Sequence, residues 1–318
     1  MNNDKKSTEL SRRDFLTSSG KVAAASVLAG TAPLEQPPSE TADTPHSTHT
    51  FPEDCVRPDR EWQYKRLCKR QVARIEDGDI DGAIKCLSSY LNANPVDVEY
   101  MYGLALGYTV KGDLDQAISF VKRAVDNGLP FGRFLAGPRQ FLAPLYAHHE
   151  FQQLAARYGS ELVHGPLLGS VTDSSASFWV RTWHESSFRI AISASEDMAD
   201  ARVSDEAQTL AVQDFTAVSA IEGLAPDTVY FYQLKLAGQT QEHVYTFKTF
   251  PQTNTSGQFT FGFGGCSGYT PWHERIWRLI AEYNFPLFLL TGDNVYIDDP
   301  TRPGVQDYTY YRRQSRPE

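Results

Sequence analysis

The sequence predicts a multidomain chain that runs α, then β, then α/β. Three observations carry this. A motif recurs at an offset of 34 residues (112 − 78) inside residues 61–159, as two stacked helical units would make it. Apolar and polar residues then alternate strictly in several short runs of residues 164–250, the period of strands with one face buried. From Phe259 the pattern is strand, loop, helix, strand, loop.

Composition narrows the function classes before any motif is read. The chain has 318 residues and a formal net charge of −9, which argues against a nucleic-acid-binding surface. No run approaches the ~18 apolar residues that span a bilayer. Four cysteines are too few for a disulfide scaffold. Cys55, Cys68 and Cys86 lack metal-type spacing and read as structural thiols, or at most one disulfide.

Residues 1–32 read as a targeting segment. Ser11-Arg12-Arg13-Asp14-Phe15-Leu16 closely matches the twin-arginine pattern S-R-R-x-F-L, ahead of a weakly apolar run from Val22 to Ala29. Gly30-Thr31-Ala32 offers small residues for cleavage, and no cysteine follows there to carry a lipid. Export by the twin-arginine route to the periplasm or the exterior, with no stable membrane anchor, is the expectation. Residues 33–60, rich in Pro, Ser, Thr and Glu, read as a disordered linker.

In residues 61–159 the recurrence maps Gly78 onto Gly112, Asp79 onto Asp113 and Ala83 onto Ala117. Its period is that of tetratricopeptide repeats. Leu104, Tyr108, Ala117 and Ala124 fall at packing positions, Pro95 at the terminal one, and Phe141–Tyr158 gives a third, degenerate pair. Such pairs bury their apolar faces by stacking. So few repeats give little concave surface, which favours a packing or spacer role over a groove for a protein partner.

Residues 164–250 predict about seven strands and a β-sandwich. Ser177–Trp183, Ser187–Ser193, Val229–Leu236 and Tyr245–Thr249 are the clearest strands. Gly223-Leu-Ala-Pro-Asp-Thr-Val-Tyr230 resembles the tyrosine corner of fibronectin type III-like domains. The aromatic residues here read as core rather than ligand platforms.

In residues 258–318, Phe259–Phe263 predicts a half-buried strand, and Pro271 opens a helix carrying Ile276, Trp277, Leu279, Ile280 and Tyr283. Phe285–Leu290 predicts a parallel strand buried on both faces. A right-handed crossover then puts both strand ends on one sheet edge, where α/β folds bind ligands. Cys266 and Asp293 sit at those ends, and Tyr296 follows. A thiolate, a carboxylate and a phenolate together need a highly charged cation, and ferric iron suits that donor mix.

Gly292-Asp293-Asn-Val-Tyr296 resembles the G-D-x-x-Y motif of dinuclear metallophosphoesterases with an iron–tyrosinate. A cysteine closing the preceding strand, in FGFGGCSGY, resembles the alkaline phosphatase D (PhoD-like) branch. That resemblance implies the start of a metallophosphoesterase α/β sandwich and hydrolysis of phosphate esters. It implies Fe3+ held by Cys266, Asp293 and Tyr296, and a second divalent metal, Ca2+ in the best-known members, bridged by a catalytic Asp293. His273 and Arg302 lie near the ligand loops and could meet phosphate, although surface roles are favoured. Asp298 and Asp299 could bind the second metal, although a solvated loop is favoured. Tyr308–Glu318 resembles the family helix that precedes an Asp-Asp-His-Asp segment. The resemblance covers most of residues 164–318 but under a third of the catalytic domain. A fragment, inactive by itself, is therefore expected. The alternative is a non-catalytic binding module with a remnant catalytic segment.

Overall fold

The computed structural model describes residues 51–56, 61–268 and 274–315. The twin-arginine segment with Arg12 and Arg13, the helix start at Pro271 and the candidate phosphate contact His273 lie outside the described residues.

A layer of helices leads: α1 (Glu61–Glu76), α2 (Ile80–Ala93), α3 (Val98–Lys111), α4 (Leu114–Asp126), α5 (Gly132–Ala136), α6 (Arg139–Tyr146) and α7 (His149–Tyr158). The 34-residue recurrence has a physical origin in its turns. Gly78 and Gly112 have φ of +86° and +87°. Behind each glycine, the next N–H reaches back five residues, Asp79 to the Arg74 carbonyl at 2.8 Å and Asp113 to the Tyr108 carbonyl at 3.0 Å. That closes α1 and α3 as Schellman ends. The same aspartates cap the following helices, Asp79 accepting from the Gly82 N–H and Asp113 from the Gln116 N–H. One turn thus builds two helix hairpins. α3 runs through the middle, burying Tyr100, Met101, Tyr102, Leu104, Ala105 and Leu106.

The end of the expected linker is tied to this layer. Cys55 is disulfide-bonded to Cys86 on α2, and Phe51 lies 5.9 Å from the Tyr90 ring. Cys68 stays a free, buried thiol, its pKa pushed up to about 12 by burial and then by Glu99.

Antiparallel sheets follow. β1 (Leu162–Gly169), β2 (Ser175–Thr182) and β6 (Thr216–Glu222) form one sheet. β3 (Ser186–Ser193), β4 (Arg202–Val203), β5 (Ala207–Thr209), β7 (Val229–Leu236), β8 (Gln239–Thr240) and β9 (Tyr245–Lys248) form the second. Inward residues of both sheets share one core, Phe178 and Val180 of β2 meeting Ile190, Ile192, Tyr232 and Leu234. In the Gly223–Tyr230 turn the Tyr230 hydroxyl accepts the Ala225 N–H at 2.8 Å.

The last part is β10 (Gly262–Gly264), α8 (Ile276–Glu282), β11 (Phe288–Leu290) and α9 (Pro303–Gln314). β10 and β11 are parallel, pairing Gly262 with Phe288 and Gly264 with Leu290. Both are shorter than the sequence predicts, and neither is buried: Phe263 is 70% exposed, and Leu289 and Leu290 each 43%. Among the described residues, Trp277 of α8 meets this two-stranded sheet, its ring centroid 6.4 Å from that of Phe288, which leaves much of the sheet's faces open.

α9 joins the layers. Tyr308 is fully buried in the helical core and donates to Glu99 Oε2 of α3 at 2.9 Å. Arg312 pairs with the same oxygen at 3.3 Å, and the Arg133 guanidinium lies 5.1 Å from the Tyr308 ring centroid. On the other side Tyr311 donates to Asp214 at 2.6 Å. Asp214 also pairs with Arg181 of β2 at 2.8 Å, and the Arg181 guanidinium stacks 3.9 Å above the Tyr311 ring. No described helix is long and apolar enough to cross a membrane.

Candidate metal centre

The two parallel strands end side by side, and the loops beyond them stay locked together. The Thr291 N–H donates to the Gly264 carbonyl at 2.8 Å and the Cys266 N–H to the Gly292 carbonyl at 3.1 Å. The loops approach so closely at Gly265 that a Cβ there would lie 2.9 Å from Thr291 Oγ1 and 3.1 Å from the Gly292 carbonyl oxygen. Any larger residue would wedge them apart.

This approach brings the three sequence-predicted ligands together. Cys266 Sγ lies 3.6 Å from Asp293 Oδ2, and the Tyr296 hydroxyl lies 3.4 Å from the same oxygen. Cys266 and Asp293 both hold left-handed backbone, with φ of 57° and 52°. Side chains other than glycine rarely adopt it, although nine further described residues do so in turns elsewhere. All three residues are on an accessible face, Cys266 as an exposed free thiol.

The donor set fits a cation. Bonds of about 2.0–2.3 Å to one ion put neighbouring sulfur and oxygen ligands about 3–3.6 Å apart, the separations seen here. The electrostatics agree. The Tyr296 phenol is pushed up to about 12, first by its hydrogen bond with Cys266, then by desolvation and by the charge of Cys266 and Asp293. Three acidic groups face one another, so the fully deprotonated state calls for positive charge from outside the triad.

The neighbouring residues are already engaged. Lys69 of α1, 6% exposed, donates to the Tyr296 carbonyl at 2.7 Å and to Asp298 at 2.5 Å. Asp299 accepts from Thr301 at 2.7 Å and Arg302 at 2.5 Å, and Arg302 also pairs with Asp77 at 2.5 Å. Asp298, Asp299 and Arg302 thus fasten the ligand loop and the start of α9 to the helical layer. Sequence reading missed Lys69 and Arg313, which contact loops 227 and 46 residues away in the chain. The only hint was that Lys69 adjoins the apolar positions Cys68 and Val72. Donor atoms of Asp54, Cys55 and Cys86 also cluster within 4.8 Å, but both sulfurs are spent in the disulfide.

A family model described as a domain of unknown function (DUF7800) matches residues 159–254, the β-sheet segment. No curated protein matches the chain. Among solved structures, PhoD is similar at 17% identity and a TM-score of 0.39, over 46% of this chain. The match spans 34% of the PhoD chain. The sensor domain of the anti-sigma factor RsgI4 in Pseudobacteroides cellulosolvens is similar at 18% identity and a TM-score of 0.24, over 29% of this chain and 97% of that one. Both likenesses are loose, and neither reaches the level of a shared overall fold.

Proposed function

We propose that the chain belongs to an exported metal-dependent phosphoesterase of the alkaline phosphatase D type, with its iron ligands Cys266, Asp293 and Tyr296 at the ends of β10 and β11. The observation that carries the reading is the convergence of a thiol, a carboxylate and a phenol, 3.6 and 3.4 Å apart, on one edge of a parallel strand pair. A ferric ion held there, with calcium as the second metal, would supply Lewis acidity toward a phosphoryl oxygen and acidify a bound water. Asp293 is the central donor of the three, its Oδ2 near both Cys266 Sγ and the Tyr296 hydroxyl, and would hold both ions. Tyr296 and Cys266 contribute negative charge, which favours the higher oxidation state of iron. Three protein ligands leave such an ion with open positions, so we expect these 318 residues to bind iron weakly and to hydrolyse phosphate esters at negligible rates.

The helical layer reads as a scaffold for α9, since Tyr308 shares its core. A protein partner would have to use another face. The Cys55–Cys86 disulfide supports export, because such bonds persist in oxidising compartments.

The test is optical. Titrating the purified chain with ferric iron should give a tyrosinate charge-transfer absorption, absent in Tyr296→Phe. Asp293→Asn should weaken ferric binding at least tenfold in the same titration. A colourless titration, or an unchanged iron affinity in Asp293→Asn, would overturn the reading.

A further inference from the structure

We infer that Arg313 is a positioning residue for this centre: it clamps the two ligand loops to each other from outside the strands that carry them. The functional meaning of the clamp rests on the metal reading above; the clamp itself does not.

One nitrogen makes the bridge. Arg313 Nη1 donates to Ser267 Oγ at 2.7 Å, to the Ser267 carbonyl at 3.3 Å and to the Asn294 carbonyl at 2.8 Å. Ser267 follows Cys266 and Asn294 follows Asp293. A single guanidinium thus fixes the residue next to a ligand on each loop. The guanidinium also lies 5.7 Å from the Trp277 ring centroid of α8, the helix between the two strands.

The loops need such a support. β10 and β11 share three register pairs, too short a ladder to hold strained ends by itself. Cys266 and Asp293 both hold left-handed backbone, which persists only where the surroundings over-determine it. α9 is a rigid base for the clamp, because Tyr308 and Arg312 are buried against Glu99 and Tyr311 is bonded to Asp214. Lysine cannot reproduce the contact. Its ammonium is one point on a flexible stem, whereas the planar guanidinium presents several donors in fixed directions.

Amide hydrogen exchange on the full 318-residue chain tests the clamp. The Cys266 and Thr291 amides donate across the two loops and report on their junction. In Arg313→Gln they should exchange at least tenfold faster, while peptides within α9 keep their protection. Arg313→Lys should restore little of this. Ser267→Ala removes one acceptor of the clamp and a 3.5 Å bond from the Ser267 hydroxyl to the Asn294 carbonyl, so beside Arg313→Gln, which keeps that bond, it should move the same amides in the same direction. Unchanged junction amides in both Arg313→Gln and Ser267→Ala would overturn the proposal. So would equal loss of protection throughout α9, which would make Arg313 merely a docking residue of that helix. A parallel titration with Co2+ alone, read by its thiolate absorption, should show at least tenfold weaker binding in Arg313→Gln. Loosened loops in a chain whose wild type gives no cobalt band would support the clamp and overturn the metal reading instead.

Discussion

Acid should weaken this fold through one histidine. His164 of β1 is 4% exposed and accepts or donates one hydrogen bond, Nε2 to Ser315 Oγ at 2.9 Å. The rings of Trp179 and Tyr311 flank it, with centroids 6.4 and 6.3 Å away. Burial lowers its pKa to about 3, and the charges of Arg181, Arg133 and Arg139 add to the shift. The unfolded imidazole titrates near 6.5. The folded pKa is thus the lower one, and the unfolded chain binds the extra proton between the two values. Stability is whole above about pH 6.5 and is lost as pH falls toward 3. At pH 5 the loss is about 2 kcal/mol, from roughly 1.5 units at about 1.36 kcal/mol each. Urea unfolding at pH 7.5 and pH 5 measures it, with His164→Gln as the variant that cannot titrate. The wild type should lose about 2 kcal/mol more than the variant over that interval, because the carboxylates contribute equally to both. Equal losses would refute the reasoning, as would a ring resonance of His164 that titrates near pH 6.

Glu99→Gln should cost about 3–5 kcal/mol in the same assay, because it leaves the Arg312 guanidinium buried without its carboxylate; a cost under about 1 kcal/mol would show that the pair is solvated after all. Reducing Cys55–Cys86, which closes a separation of 31 residues, should cost about 3–4 kcal/mol by loop-closure entropy, and superimposable oxidised and reduced unfolding curves would refute that. Changing Arg12 and Arg13 to lysine in a fusion of residues 1–40 to a reporter should stop twin-arginine export; undiminished export would remove the targeting assignment.

The helical layer was legible because a glycine–aspartate turn has a local cause: Gly78 and Gly112 end one helix and Asp79 and Asp113 begin the next. The sheets were legible from alternation. Cys266 and Asp293 could be placed on one edge because parallel strands joined by a helix end together. Other features have no local signature. The exposure of Phe263 and Leu289 depends on what covers the sheet, and apolar runs read as buried whether or not a cover is near. The pairing of Cys55 with Cys86 was one of several open to three cysteines. Lys69 and Arg313 bind backbone carbonyls far away in the chain, and side-chain-to-backbone contacts leave no complementary residue type to find.

The seat of Tyr308 sets a schedule for synthesis. Glu99 and Tyr308 are 209 positions apart, so at about 5–20 residues per second the ribosome takes about 10–40 s between them. Late in that interval the helices around Tyr102 and Arg133 have emerged, with the Glu99 carboxylate and the Arg133 guanidinium still facing water. The helical layer therefore begins folding early but is completed only when α9 leaves the exit tunnel. A holdase that recognises this open seat on the nascent chain would bind before residue 308 is made and be displaced by α9.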